Sequence, residues 1–281
     1  MKFQVSSELE YTVRSPTTFI LNIHALRTST QTVLEETFTV NPFIRVEELN
    51  SNTGENRFMR LEVTEPMTIK VAYKATVDTY HQVIDHHELE TVPVVKLDGS
   101  VLPYLFPSRY CQSDKLYRMA FNMFGKIENV YSQVLAITDW IYENVEYLSG
   151  STNSQTSAYD TVSERAGVCR DFAHLGITLC RALSIPARYF TGYAYQLNPP
   201  DFHACFEAYI GGRWIIFDAT RLAPLNGLVR IATGRDAADA ALATIFGSVT
   251  CNYIMVNSQV LDNNFQPFIY DHSNLKGLAY H

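Results

Sequence analysis

The chain has 281 residues, of which 47% are hydrophobic, enough for a sizeable core in one large or two ordinary domains. Twenty-two basic against 29 acidic residues give a net charge of −7 with no Lys/Arg cluster, which argues against a nucleic-acid partner. Polar and acidic residues interrupt the start Met1–Glu8, and no later run approaches ~20 apolar residues, so no membrane segment is expected and the chain reads as cytoplasmic.

The 17 tyrosines and 16 phenylalanines suit half-buried sheet surfaces. From residue 1 to about 105 the runs are short and strand-like: Phe3–Val5, Tyr11–Val13, Thr18–Ile23, Thr37–Val40, Phe58–Val63 and Met67–Val77. Turn signals at Ser15-Pro16, Asn41-Pro42, Asn52-Thr53-Gly54 and Glu65-Pro66 separate them, and residues 68–75 alternate with period two. This predicts an antiparallel β domain, sandwich-like, over 1–105, and a second domain over 106–281. His81, His86 and His87 lack a fourth ligand at useful spacing, and Asp85 and Glu88 make that stretch a solvated edge, so no metal is expected there.

Residues 91–110, with Pro93, Pro103 and Pro107, form a connector. Helices are expected over 113–124 and 128–147, the second burying Val130, Val134, Ile137, Ile141 and Val145. A polar loop over 149–157 is long enough to suggest a role at a site. Cys169 then stands where a Gly-containing loop turns into an amphipathic helix. Phe172, Leu175, Gly176, Leu179 and Leu183 mark its apolar face, Arg170, His174, Thr178 and Arg181 its opposite one, and Pro186 its end.

After a strand over 187–195, Gly211-Gly212 joins the runs 203–210 and 213–218 as a two-residue hairpin. Closing it pairs Ile210 with Arg213 and, walking outward, Cys205 with Asp218 and His203 with Thr220. His203 and Asp218 become diagonal neighbours on one face, within reach of an imidazole–carboxylate bond. Ala204, Phe206, Ala208 and Ile210, facing Ile215 and Phe217, make the other face core.

The five cysteines, Cys111, Cys169, Cys180, Cys205 and Cys251, are odd in number and widely spaced, without a CxxC pair, so they read as reduced thiols. A reactive thiol needs a base, and the base an orienting acceptor; Cys169, His203 and Asp218 supply those roles in order. The Cys169 backbone N–H at a helix start is a natural oxyanion donor, while a second donor is not visible. Cys205, opposite Asp218, is a poor nucleophile because the carboxylate raises its pKa. Cys180 and Cys251 read as inert core thiols, His174 as structural, Asp171 as a dipole partner or cap with a site role as the alternative, and Trp214 as either site wall or core.

Residues 157–174, Cys180 to Tyr189, Thr191-Gly192-Tyr193, His203-Ala204 and Trp214 to Asp218 together resemble the bacterial transglutaminase-like superfamily. Gly234-Arg235-Asp236 resembles its tail motif, and residues 1–100 the β-rich domain that often precedes such cores. Ala219 and Ala237 depart from the family pattern, which has proline and an aromatic there. The resemblance implies an α+β fold, with helices packed on an antiparallel sheet as in papain-like thiol proteases. It implies Cys169, His203 and Asp218 as nucleophile, base and orienting acid. It also implies a cysteine protease or amidase acting on a peptide or protein through a thioester, with no cofactor or metal. Hydrolysis is favoured because no acidic loop resembles a calcium site; amine transfer or a silent binding module are the alternatives. Oligomeric state is not legible.

Overall fold

The computed structural model describes residues 1–50, 56–269 and 275–280, so the turn expected at Asn52-Thr53-Gly54 lies outside the described residues. Alternating burial along β1 (Lys2–Val13) joins the two expected runs Phe3–Val5 and Tyr11–Val13 into one strand with every second side chain in the core. Then come β2 (Thr17–Leu21), β3 (Gln31–Asn41), β4 (Val46–Asn50), β5 (Arg57–Val63), β6 (Met67–Thr79) and β7 (Gln82–Asp85). The second half contains α1 (Ser113–Phe124), α2 (Val130–Asn144), β8 (Glu146–Tyr147), α3 (Ala158–Glu164), β9 (Ala166–Gly167) and α4 (Cys169–Ala182). It ends with β10 (Ala187–Ala194), β11 (Phe202–Ile210), β12 (Arg213–Phe217), β13 (Leu228–Gly234), β14 (Ala243–Phe246), β15 (Val249–Val260) and β16 (Lys276–Ala279).

The fold is α+β. Two four-stranded sheets, ordered β15-β1-β6-β3 and β14-β2-β5-β4, share one core, and a six-stranded sheet ordered β13-β10-β11-β12-β16-β7 carries the helices. Among the described residues these sheets are antiparallel throughout, and only the short β8–β9 pair is parallel.

The expected division at 105/106 does not divide the sheets. β14 pairs with β2 and β15 with β1, so residues 243–260 return to complete the N-terminal sandwich, while β7 extends the six-stranded sheet through β16. Among the described residues no helix is long and apolar enough to cross a membrane.

Helix α4 lies against β11 so closely that a Cβ on Gly176 would stand 2.5 Å from Phe206 Cε1. Its polar positions are not solvated: His174 and Thr178 are 0% exposed and Arg181 4%. Arg181 donates to the Ala187 and Phe106 carbonyls and Thr178 to that of His174, while His174 is bonded through Nε2 alone. Under the other face of the sheet, Glu207 bridges Arg188 at 2.6 Å and Arg230 at 2.7 Å, tying β11 to both β10 and β13 with three buried charges.

Candidate active site

The expected hairpin forms. Gly211 and Gly212 have φ of +60° and +76°, the pair of positive values a tight two-residue turn needs, and Ile210 faces Arg213 through to Phe206 facing Phe217. β12 stops at Phe217, so neither the expected Cys205–Asp218 nor the expected His203–Thr220 pairing is part of the ladder. Instead Thr220 folds back, and its N–H and hydroxyl donate to Asp218 Oδ1 at 2.9 and 2.7 Å. The other carboxylate oxygen, Oδ2, lies 2.7 Å from His203 Nε2.

Burial would raise the Asp218 carboxyl, but the charge on His203 and the bonds from His203 and Thr220 outweigh it and hold the group below the usual carboxylate range. Burial likewise opposes charge on His203, yet Asp218 keeps the imidazole well above its ordinary value. The carboxylate therefore fixes both the orientation of the ring and its proton.

With Nε2 committed, Nδ1 is left for a thiol. It is buried, with no closed hydrogen bond among the described residues, while the Cys169 and Cys205 side chains both interact with the ring. The surroundings separate the two sulfurs. Cys205 is 1% exposed and pushed up to about 12 by burial and by the Asp218 charge. Cys169 is only partly buried and opens into a cleft of about 540 Å³. Cys111 and Cys180 are fully buried, their thiols raised by desolvation. Cys251 corrects its expectation: it is an exposed thiol on β15, not a core one.

Cys169 begins α4, so its backbone N–H has no intrahelical acceptor. Asp171 caps this start, its Oδ2 accepting the Val168 N–H at 3.0 Å. Beside it stands a residue that sequence periodicity missed. The apolar spacing of α2 predicts helix to 147, but the helix ends at Asn144. The next residues pair with β9, Glu146 N–H bonding to the Arg165 carbonyl and Leu148 N–H to that of Gly167, both at 2.9 Å. Tyr147, bracketed by these bonds, is held beside Cys169, whose backbone N–H and thiol both act on its phenol. Burial and the neighbouring thiol push that phenol up to about 12, so it keeps its proton at neutral pH.

Other expectations resolve in the same frame. Ser154, in the long polar loop, lines the cleft, and Arg170 ties the loop to α4 through the Asn153 carbonyl at 2.8 Å. His174 is structural in a specific way: stacked on Tyr110, its Nε2 accepts the Ala237 N–H at 3.1 Å. In the Gly234-Arg235-Asp236 motif, Asp236 accepts the N–H groups of Tyr110 and Ala238 at 2.8 Å each. Trp214 is core, 8% exposed under the Arg188 guanidinium, and does not line the cleft. Asp85, His86 and His87 share an exposed turn in which Asp85 accepts the His87 N–H.

Residues 1–100 match the family model described as bacterial transglutaminase, N-terminal domain, and residues 117–219 that of the transglutaminase-like superfamily. A crystal structure of a "putative cysteine protease" from Cytophaga hutchinsonii is 67% identical in sequence, with a TM-score of 0.98, covering 100% of this chain and 98% of that one. An uncharacterized protein of Mycobacterium leprae is 26% identical over 162 residues, 55% of this chain and 57% of its own length. One from Mycobacterium bovis is 42% identical over 60 residues, 21% of this chain and 19% of its own. The chain thus spans under two thirds of these curated relatives.

Proposed function

The chain belongs to the transglutaminase-like superfamily, and from that premise we propose that it is a thiol-dependent acyl-transfer enzyme hydrolysing peptide, isopeptide or side-chain amide bonds. The observation that carries the reading is the 2.7 Å Nε2–Oδ2 bond, which leaves the other face of the His203 imidazole to the thiol of Cys169 in an open cleft. An imidazolium beside a thiol favours the thiolate.

In this reading Cys169 Sγ attacks the carbonyl carbon and the carbonyl oxygen becomes an oxyanion. At rest the Tyr147 phenol lies beside the Cys169 backbone N–H. The substrate oxygen takes that place, receiving the N–H and the phenol O–H, so both donors act where charge develops. His203 gives its proton to the leaving amine as the C–N bond breaks, producing a thioester. A water then loses a proton to His203 and attacks the thioester; the acid departs and the thiol is restored. Asp218 holds the ring throughout.

A glutamine peptide incubated with and without a primary amine tests the acceptor. Ammonia release with a glutamate product, unchanged by amine, supports hydrolysis; incorporation of the amine identifies a transferase. If Cys169 is alkylated by iodoacetamide below pH 7 no faster than the exposed Cys251, the nucleophile assignment fails and a binding module is the better account.

A further inference from the structure

The cleft that holds Cys169 and His203 has one wall made from the sandwich. Residues 240–245 line it, and the last three of these belong to β14. Successive side chains of a strand point to opposite faces, so three consecutive residues can share a cleft only along the strand's backbone edge. Among the described residues β14 ends its sheet, pairing only with β2. The free edge and the cleft are therefore the same place.

The ladder tells which groups are free. Asn22 N–H donates to the Leu242 carbonyl at 2.8 Å, and the register continues Ala243–Leu21, Thr244–Ile20 and Ile245–Phe19. Bonded pairs alternate in an antiparallel ladder, so Thr244 and Phe246 turn their N–H and C=O toward β2, while Ala243 and Ile245 turn theirs outward. Among the described residues no strand meets them.

The wall before this edge is built of small side chains. The segment before it contributes Ala237, Ala238, Ala240 and Ala241 to the wall, none with a side chain beyond Cβ. A second backbone can come to strand spacing, about 4.8 Å. His174 and Asp236 clamp the start of the segment through the N–H groups of Ala237 and Ala238.

We propose that the substrate is an extended polypeptide segment that adds to the free edge of β14 as a further strand, its backbone paired with Ala243 and Ile245 while its acyl group reaches Cys169. This rests on the thiol-enzyme reading and names its substrate class: unfolded or extended protein chain, read by its backbone.

The test measures alkylation of Cys169 by peptide mapping with acetyl-Gln chloromethyl ketone, acetyl-Ala-Ala-Ala-Gln chloromethyl ketone, and three analogues of the latter, each N-methylated at one alanine. The tetrapeptide reagent should react about tenfold or more faster than the single-residue one, as for a gain of two or three backbone bonds. N-methylation should abolish the advantage at alternate positions and spare it between them, the period of a strand. Ala243→Pro removes an outward N–H without touching the β2 ladder, and should slow the tetrapeptide reagent alone. Should that variant not fold, the N-methyl scan on the unaltered protein decides by itself. Equal rates for the two reagent lengths, or a scan without alternation, overturn the proposal. Cys169 labelled by none of the reagents faster than Cys251 instead overturns the enzyme reading beneath it.

Discussion

Replacing Tyr147 by Phe deletes one hydroxyl and nothing else, and the surroundings allow its effect to be sized. The ring keeps its contact with Phe172, whose centroid lies 5.8 Å away, and the backbone bonds of β8 to β9 do not involve the side chain. Tyr147 is 46% exposed, so the loss in stability should not exceed about 1 kcal/mol, the most that one hydroxyl's net hydrogen bonding typically contributes. The loss in chemistry should be larger. Removing one oxyanion donor costs about 10²- to 10³-fold, or roughly 3–4 kcal/mol of barrier. The assay is the nitrophenolate burst from p-nitrophenyl acetate, which reports acylation of the enzyme independently of the natural substrate. Iodoacetamide gives the control, since its displacement at carbon forms no oxyanion; the variant should be alkylated at Cys169 at nearly the normal rate. An unchanged burst rate, or equal losses in burst and alkylation, would refute Tyr147 as a donor.

Two further outcomes concern stability. Glu207→Ala removes the carboxylate that bridges the buried Arg188 and Arg230 and should cost about 3 kcal/mol, read from the urea midpoint; a loss under about 1 kcal/mol would contradict the bridge's role. His24 is buried between the rings of Phe38 and Tyr73, and burial, then the Arg57 charge, lowers its pKa from 6.5 to about 4. Between those values the unfolded chain binds a proton that the folded one does not, so stability should fall by about 3 kcal/mol from pH 7 to 4. His24→Phe should flatten that part of the profile; a parallel curve would show that other groups govern it.

The half of the site built by local pattern was legible. Gly211-Gly212 fixes a register, and a register fixes which side chains face each other, so His203 and Asp218 could be placed together before any fold was known. Cys169 was legible because a helix start exposes its N–H groups. Tyr147 was not, since the apolar spacing of α2 runs on to Val145 and conceals the break at Asn144. Nor was the burial of His174 and Arg181: amphipathic spacing sorts residues by polarity, and these polar groups face internal partners rather than water. The return of β14 and β15 to the sandwich depends on pairings more than 200 residues apart, such as Phe3 with Val260, which no local window contains. The same return makes Cys251 an edge-sheet thiol and supplies the cleft wall.

The most direct test of the central claim is to trap the acyl-enzyme. The protein is mixed briefly with p-nitrophenyl acetate, quenched in acid and mapped by mass spectrometry. A single acetyl group on Cys169, labile to hydroxylamine, absent from the Asp218→Ala and Cys169→Ala variants and lost on standing at neutral pH, is the predicted result. Acetyl groups on Cys251 or on lysines with Cys169 unmodified would contradict the account.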